Sequence, residues 1–173
     1  MHIFFSKNTK LSLRRGFTLI EIIVVIAIIG ILSTFVFSSF GKTSDIKVLE
    51  TAARELTATL RKAQTDALNG VGGVSGEALC GHRVSNSGTR INTAVLLRSC
   101  STPTVTTTSS YNLSSGVSFG SAWTVEFSVP HGTIVSGSTA VIQLTRNGES
   151  IYVCVKSSGV IRETPVGVND CSS

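Results

Sequence analysis

A single acidic residue, Glu21, lies at the start of a long apolar run that extends from Phe17 to Phe40. A carboxylate inside an apolar segment of membrane length costs about 2.5–3.5 kcal/mol on insertion scales, so it is normally retained because it pairs with a cation. Gly16 immediately precedes the run, and every charged side chain before it is basic. This spacing predicts that Glu21 has a partner that pairs with its charge.

The apolar run is long enough to cross a membrane if it is helical. A helix from Phe17 to Phe40 would extend about 36 Å, and a bilayer core is about 30 Å thick. The basic residues precede the run, so the positive-inside rule predicts a cytoplasmic N-terminus and an exported remainder. Two alternatives remain open. A plain membrane anchor leaves Glu21 unexplained, and a secretory signal peptide normally has a shorter apolar core.

A resemblance to a known family is carried by Arg15-Gly16-Phe17-Thr18-Leu19-Ile20-Glu21. This segment resembles the prepilin leader and N-terminus of type IV pilins and type II secretion pseudopilins. The resemblance implies that prepilin peptidase cuts between Gly16 and Phe17, and that the new amino group of Phe17 is then methylated. It also implies that Glu21 pairs with the N-terminal amine of a neighbouring subunit.

The resemblance also implies a domain order and a location. Residues 1–16 would be the leader peptide, and residues 17–40 would form the transmembrane and assembly helix. The protein is then expected to be a single-pass inner-membrane protein with a cytoplasmic N-terminus and a periplasmic globular domain. From the membrane it would enter a pilus or pseudopilus.

The basic charge of the chain belongs mostly to the leader. The formal net charge is +5, and a basic chain invites a nucleic-acid interpretation. However, four of the 15 Lys and Arg residues lie within residues 1–16, and the others nearly balance the 10 Asp and Glu residues. The positive charge therefore predicts topology, and composition does not support DNA binding.

An amphipathic helix is predicted to continue the chain over residues 41–70. Its apolar residues are spaced alternately by three and four, which is the pattern of one helical stripe; they are Ile46, Leu49, Ala53, Leu56, Leu60, Ala63 and Ala67. Asn69-Gly70 is a typical helix stop. A helix of this kind packs one side on a sheet and exposes the other side.

Residues 71–173 are predicted to form a β-rich domain. Strands are expected at 94–98, 123–129 and 160–161, with a hairpin over 140–155 that turns at Asn147-Gly148. The Ser- and Thr-rich stretch 101–110 is predicted to be a loop or an irregular edge. The expected fold class is α+β, in which a long N-terminal helix, membrane-spanning in its first half, packs on an antiparallel sheet.

The C-terminal pattern resembles the GspH/FimT group of minor pseudopilins and minor pilins. The likeness is carried by Leu60-Arg61-Lys62-Ala63-Gln64-Thr65-Asp66-Ala67 and by Ser158-Gly159-Val160-Ile161-Arg162. It implies a minor subunit of a type II secretion pseudopilus or a type IV pilus. Its partners would be other pilin or pseudopilin subunits, prepilin peptidase and the membrane.

The alternative function is that of a FimT-like minor pilin that binds DNA for natural transformation. The family motif for that role is Gly-Arg-x-Arg, and the matching place here is Gly159-Val160-Ile161-Arg162, which retains only Arg162. Arg83, Arg90 and Arg98 are the other arginines that such a surface would use. Because scattered arginines are usually solvated surface residues, nucleic acid is not the expected partner.

All four cysteines follow the apolar run, which agrees with an oxidising location. Four cysteines allow three pairings. We favour Cys80–Cys100 with Cys154–Cys171, because each bridge closes a short loop, and each could add about 3 kcal/mol in the chain-entropy description. A metal site with Cys80 and His82 is the alternative, but it lacks a second matched ligand pair.

No set of residues in the sequence indicates catalysis. His82 and His131 lie far apart, and the glycines at 70–73 follow a helix rather than the strand that a phosphate-binding loop requires. A nucleophile also needs a positioned base. The chain is therefore expected to be a structural protein without a metal or cofactor, and not an enzyme.

Overall fold

The structure is a computed structural model that describes residues 17–114 and 116–171, with only the backbone described at residues 34–42. Within these described ranges, one helix is followed by eight strands: α1 (Leu19–Leu68), β1 (Leu79–Ser87), β2 (Arg90–Leu97), β3 (Thr104–Asn112), β4 (Ser118–Phe119), β5 (Thr124–Ser128), β6 (Ala140–Arg146), β7 (Glu149–Val155) and β8 (Ile161–Glu163). The chain divides into two compact units, residues 1–41 and residues 42–173.

The residues that follow Leu68 explain why α1 ends there. Gly70 adopts a φ of +63°, which L side chains disfavour and glycine accepts. The amide of Gly70 donates to the carbonyl of Ala67 and the amide of Val71 donates to that of Asp66. These two bonds form the Schellman arrangement that satisfies the last carbonyls of a helix. The stop predicted at Asn69-Gly70 is therefore confirmed.

The rear part of α1 packs its predicted stripe into the core of the second unit. Six of the seven stripe residues are buried and Ile46 is half-buried. The buried positions are Leu49, Ala53, Leu56, Leu60, Ala63 and Ala67. Lys47, Arg54 and Arg61 on the opposite face are exposed. Burial of the apolar stripe is the main force that holds this part of α1 in place.

The strands form two antiparallel sheets of four strands each, and the α+β prediction is confirmed. The first sheet has the order β3-β2-β1-β5, and the second sheet has the order β4-β6-β7-β8. One core joins α1 to both sheets. Its largest buried sheet residues include Phe127, Ile91 and Val125 from the first sheet, with Ile142, Leu144 and Val153 from the second. The single predicted sheet is thus replaced by two sheets that share the helix.

The predicted hairpin is confirmed as β6 and β7. Asn147 and Gly148 both have positive φ, +48° and +85°, as the two central residues of a type I′ turn require. The stretch 101–110, predicted to be a loop or an irregular edge, is mostly a regular strand. It forms most of β3, which pairs with β2 along its length and lies at the edge of the first sheet. The loop prediction failed because β3 buries neither face, so it lacks apolar alternation.

The membrane span predicted for residues 17–40 falls on the first half of α1. Among the residues that the structure describes, no helix combines the length and the hydropathy of a membrane span.

Candidate functional site

The start of α1 is set by a hydroxyl cap on Thr18. The backbone N–H of Glu21 lies 3.3 Å from Oγ1 of Thr18 and 3.1 Å from its carbonyl oxygen. A Thr three residues before a Glu is the capping-box pattern, in which the Thr side chain satisfies one free helix N–H. The cap places Glu21 in the first turn of the helix, where the helix dipole favours a negative charge.

Glu21 lies in the exposed apolar surface of the first unit. Phe17 and Leu19 are nearly four-fifths exposed, at 79% and 78%, and the large apolar residues from Ile22 to Leu32 are about half exposed. A contiguous apolar surface of this size marks a contact with lipid or with other protein. Within the described residues, no side chain donates to the Glu21 carboxylate. The Glu21 side chain is exposed, so a cation on another molecule can reach it.

The predicted cleavage and methylation site is described only on its C-terminal side. Gly16 lies outside the described residues, and Phe17 is the first residue that the structure describes. Phe17 is exposed and comes directly before the capping residue Thr18. The N-terminal amine produced by cleavage would therefore lie immediately before the helix cap.

The structure pairs all four cysteines in the arrangement that was favoured from the sequence. Cys80 bonds Cys100 across the ends of β1 and β2, and Cys154 in β7 bonds Cys171 in the C-terminal segment. Their Cα–Cα distances of 5.1 and 5.5 Å lie in the normal range for disulfides.

The alternative metal site does not fit this geometry. The Cys80 sulfur is bonded to another sulfur and cannot serve as a thiolate ligand. Nε2 of His82 lies 2.9 Å from the carbonyl oxygen of Val71, so this nitrogen donates to the chain itself. In the ranges 17–114 and 116–171, no group of three or more metal-ligating side chains is assembled.

The arginines considered for DNA binding are held by the protein itself. A guanidinium nitrogen of Arg162 donates to the carbonyl oxygen of Asp170 at 2.9 Å. Arg83 pairs with Glu126 at 2.6 Å, directly across β1 and β5. The two remaining arginines, Arg90 and Arg98, donate to Asn112 and Glu77. The carboxylates of Glu126 and Glu77 offset the positive charge of Arg83 and Arg98, which weakens the attraction of this surface for phosphate.

Sequence reasoning missed a cleft between α1 and the first sheet. Its lining includes Tyr111, Thr59, Thr93 and Ser109. The Tyr111 hydroxyl lies 2.8 Å from Oγ1 of Thr59. Burial raises the pKa of Tyr111, the bond to Thr59 opposes this rise, and the charge of Glu55 adds to it. The phenol therefore remains neutral and able to donate at physiological pH. Tyr111 comes directly after the Ser- and Thr-rich stretch 101–110, and an aromatic residue beside such a polar stretch was the signal that could have pointed to this cleft.

Comparison with known proteins finds a match only at the N-terminus. Residues 11–37 match the family described as the prokaryotic N-terminal methylation motif. The search of curated proteins finds no match. The search of solved structures likewise finds none. The matched residues contain the predicted cleavage point, Phe17, Thr18 and Glu21. The chain therefore carries a type IV pilin-like prepilin signal at its N-terminus.

Proposed function

We propose that the protein is a minor pilin or pseudopilin of the GspH/FimT type. In this proposal prepilin peptidase cuts after Gly16, and the amino group of Phe17 is methylated. The mature subunit is anchored in the inner membrane with its globular domain on the periplasmic side before it enters a pseudopilus or pilus. Its role is structural, and the proposal assigns it no catalytic activity and no cofactor.

The observation that carries the proposal is the position of Glu21 within the matched motif. The carboxylate is exposed in the first turn of α1 and is surrounded by exposed apolar side chains. An unpaired carboxylate in lipid is unfavourable by about 2.5–3.5 kcal/mol. A neighbouring subunit that supplies a cation would remove this penalty, so the pairing favours the assembled state over the isolated subunit in the membrane.

The cation in this proposal is the amine of Phe17 in the adjacent subunit. An α-amino group has a pKa of about 7.7–8.0, so it is largely protonated at neutral pH. Cleavage creates this amine, because before cleavage the nitrogen of Phe17 is part of a peptide bond. Processing would therefore act as the step that makes a subunit competent to assemble. Apolar contacts between the exposed faces of neighbouring helices would supply the remaining attraction.

The rear half of the protein supports this role by presenting a folded domain. Helix α1 contributes its stripe to the core of that domain, and two disulfides cross-link it. A cross-linked domain of this kind suits an exported subunit, because disulfides persist in oxidising compartments.

Two measurements on the native protein test the proposal. Intact-mass analysis should show loss of residues 1–16 and the addition of one methyl group. Glu21→Gln should be processed and inserted normally but should be depleted from isolated filaments. The matched control is Glu50→Gln, which removes a carboxylate from the polar face of the same helix. A mature chain that retains residues 1–16, or normal assembly of Glu21→Gln, would contradict the proposal.

A further inference from the structure

Strand β3 presents an open sheet edge. It spans Thr104–Asn112 and lies at the end of the first sheet. In the described part of the chain, β2 is the strand paired with it, and eight of its nine residues are exposed. The amide of Leu113 donates to the carbonyl of Thr89. By the alternation of an antiparallel ladder, the backbone groups of Asn112 and Ser110 therefore point to the free edge.

This edge lacks the charges that usually protect an exposed strand. Natural proteins discourage edge pairing with charged side chains, proline, bulges or very short strands. No Asp, Glu, Lys, Arg or His occurs between Arg98 and Glu126. A register shift opposite Thr93 and Ala94 marks an irregularity in β3, and Pro103 lies before the strand begins. The strand is otherwise regular, uncharged and rich in β-branched threonine.

The other sheet edges among the described residues are shorter or covered. Strands β4 and β8 contain two and three residues. The outer side of β5 is occupied, because Phe127 forms a bridge with Ile134 and the amide of Val135 donates to the carbonyl of Glu126. Among the described edge strands, only β3 combines length with an uncovered backbone, so the open edge of the first sheet is at β3.

We infer that β3 is a pairing surface for a second copy of this chain. Two β3 strands in antiparallel alignment would form an isologous contact, because the same strand faces itself across a two-fold axis. The contact brings together uncharged strands, so no like charges face each other, and opposed threonines are favourable cross-strand neighbours. The two first sheets would become one continuous sheet of eight strands. This inference stands independently of the proposed function.

Site-directed disulfide crosslinking of the full-length protein in detergent tests the inference. All four native cysteines are already bonded, so one introduced cysteine is the only reactive thiol. Thr104→Cys, Thr106→Cys and Thr107→Cys place a thiol at successive points along the edge. The control is Ser136→Cys. Ser136 is exposed and lies in the loop beside β5, at the other edge of the first sheet. Paired strands bring Cβ atoms near the separation that a disulfide needs.

The expected result is a crosslinked dimer from at least one β3 variant. Its yield should exceed that of Ser136→Cys about tenfold or more, because pairing raises the effective concentration of the two thiols. Adding Thr107→Lys to Thr104→Cys or Thr106→Cys should reduce the yield several-fold by placing two like charges at the contact. Adding Ser136→Lys should leave it unchanged. Both lysines replace exposed residues, so the fold should be retained.

Three results would overturn the inference. The first is a crosslink yield from every β3 variant that equals the Ser136→Cys control. The second is crosslinking of β3 only to a different protein, which would make the edge a heterotypic strand-addition site. The third is a dimer yield that Thr107→Lys leaves unchanged, which would mean that the thiols meet without pairing of the edges.

Discussion

The guanidinium of Arg146 holds the carboxylate of Asp45, with 2.6 Å between Nε and Oδ1, although 101 residues separate the two positions. The neighbouring Asn147 donates its side-chain amide to the other oxygen of Asp45 at 2.9 Å. Arg146 ends β6 and Asn147 begins the turn that follows it. Asp45 thus fastens the tip of the second sheet's hairpin to helix α1.

These contacts predict a stability that depends on acid. The hydrogen bond from Asn147, and then that from Arg146, lowers the pKa of Asp45. A lowered pKa contributes stability that is complete above the usual Asp value of about 3.9 and is lost as the pH falls through the folded-state value. Asp45→Asn should therefore lower the free energy of unfolding at neutral pH, and the difference from wild type should shrink in acid.

Urea unfolding of a fragment that starts at residue 42, carried out at neutral pH and again in acid, measures how much Asp45→Asn lowers the free energy of unfolding. Asp66→Asn is the control, because it breaks only the surface ion pair with Lys62 in the same helix. Surface ion pairs of this kind contribute little to the free energy of unfolding. A difference between Asp45→Asn and wild type that is equal at both pH values would contradict the assigned role of the carboxylate.

A second prediction concerns Gln64, which links α1 to loops beside both sheets. Its Nε2 donates to the carbonyl oxygens of Gly132 at 3.0 Å and Gly159 at 2.8 Å. Gln64→Leu removes both donors and leaves two partly buried carbonyls unpaired. The loss should be about 1–3 kcal/mol in the free energy of unfolding. Thr65→Val, at an exposed neighbouring position, should change it by less than about 0.5 kcal/mol. Equal effects of the two substitutions would show that the Gln64 bonds carry no stability.

The third prediction is that residues 42–173 fold without the N-terminal segment. This range is a compact unit that contains the buried stripe of α1 and both disulfides. Protein recovered from an oxidising compartment should show a cooperative unfolding transition and no reactive thiol after denaturation. Two or four reactive thiols would contradict the cysteine pairing, and a non-cooperative transition would contradict the autonomy of the unit.

The fourth prediction separates the structural role from DNA binding. Affinity for DNA depends on clustered Lys and Arg and falls steeply with salt. Arg162 is bonded to the carbonyl of Asp170, and Arg83 is paired with Glu126. A gel-shift titration at about 0.15 M salt, the physiological ionic strength, should show no specific complex with duplex DNA. Micromolar binding that Arg162→Ala abolishes would instead establish the FimT-like role.

Local patterns in the sequence predicted the elements that bury one side. The stripe from Leu49 to Ala67 follows the helical period and is buried as expected. The alternation around Val125 and Phe127 predicted β5, and Asn147-Gly148 predicted the turn between β6 and β7. The N-terminal motif led to Phe17 and Glu21 for the same reason, because its information lies within a few adjacent residues.

The features that sequence reasoning missed depend on distant contacts. Strand β1 alternates poorly, with Val84 buried among mostly polar neighbours, and β3 is exposed on both faces. Their pairing depends on β2, whose apolar run from Ala94 to Leu97 alone signalled a strand. The strand order within the two sheets depends on pairings between residues far apart in the chain. The contact between Asp45 and Arg146 also joins distant residues. No local periodicity encodes such pairings.

The contacts of Gln64 have a consequence for how the two loops can vary. Both acceptors are main-chain oxygens, so these contacts depend on the backbone conformation of each loop and not on its side chains. Glycine is required at two points, where φ is +63° at Gly132 and +87° at Gly159 and where a Cβ would collide with Leu68 or Gln64. The flanking residues carry no such demand. Exposed positions in these loops, such as His131 and Ser158, can therefore vary without disturbing the packing of α1 on the domain.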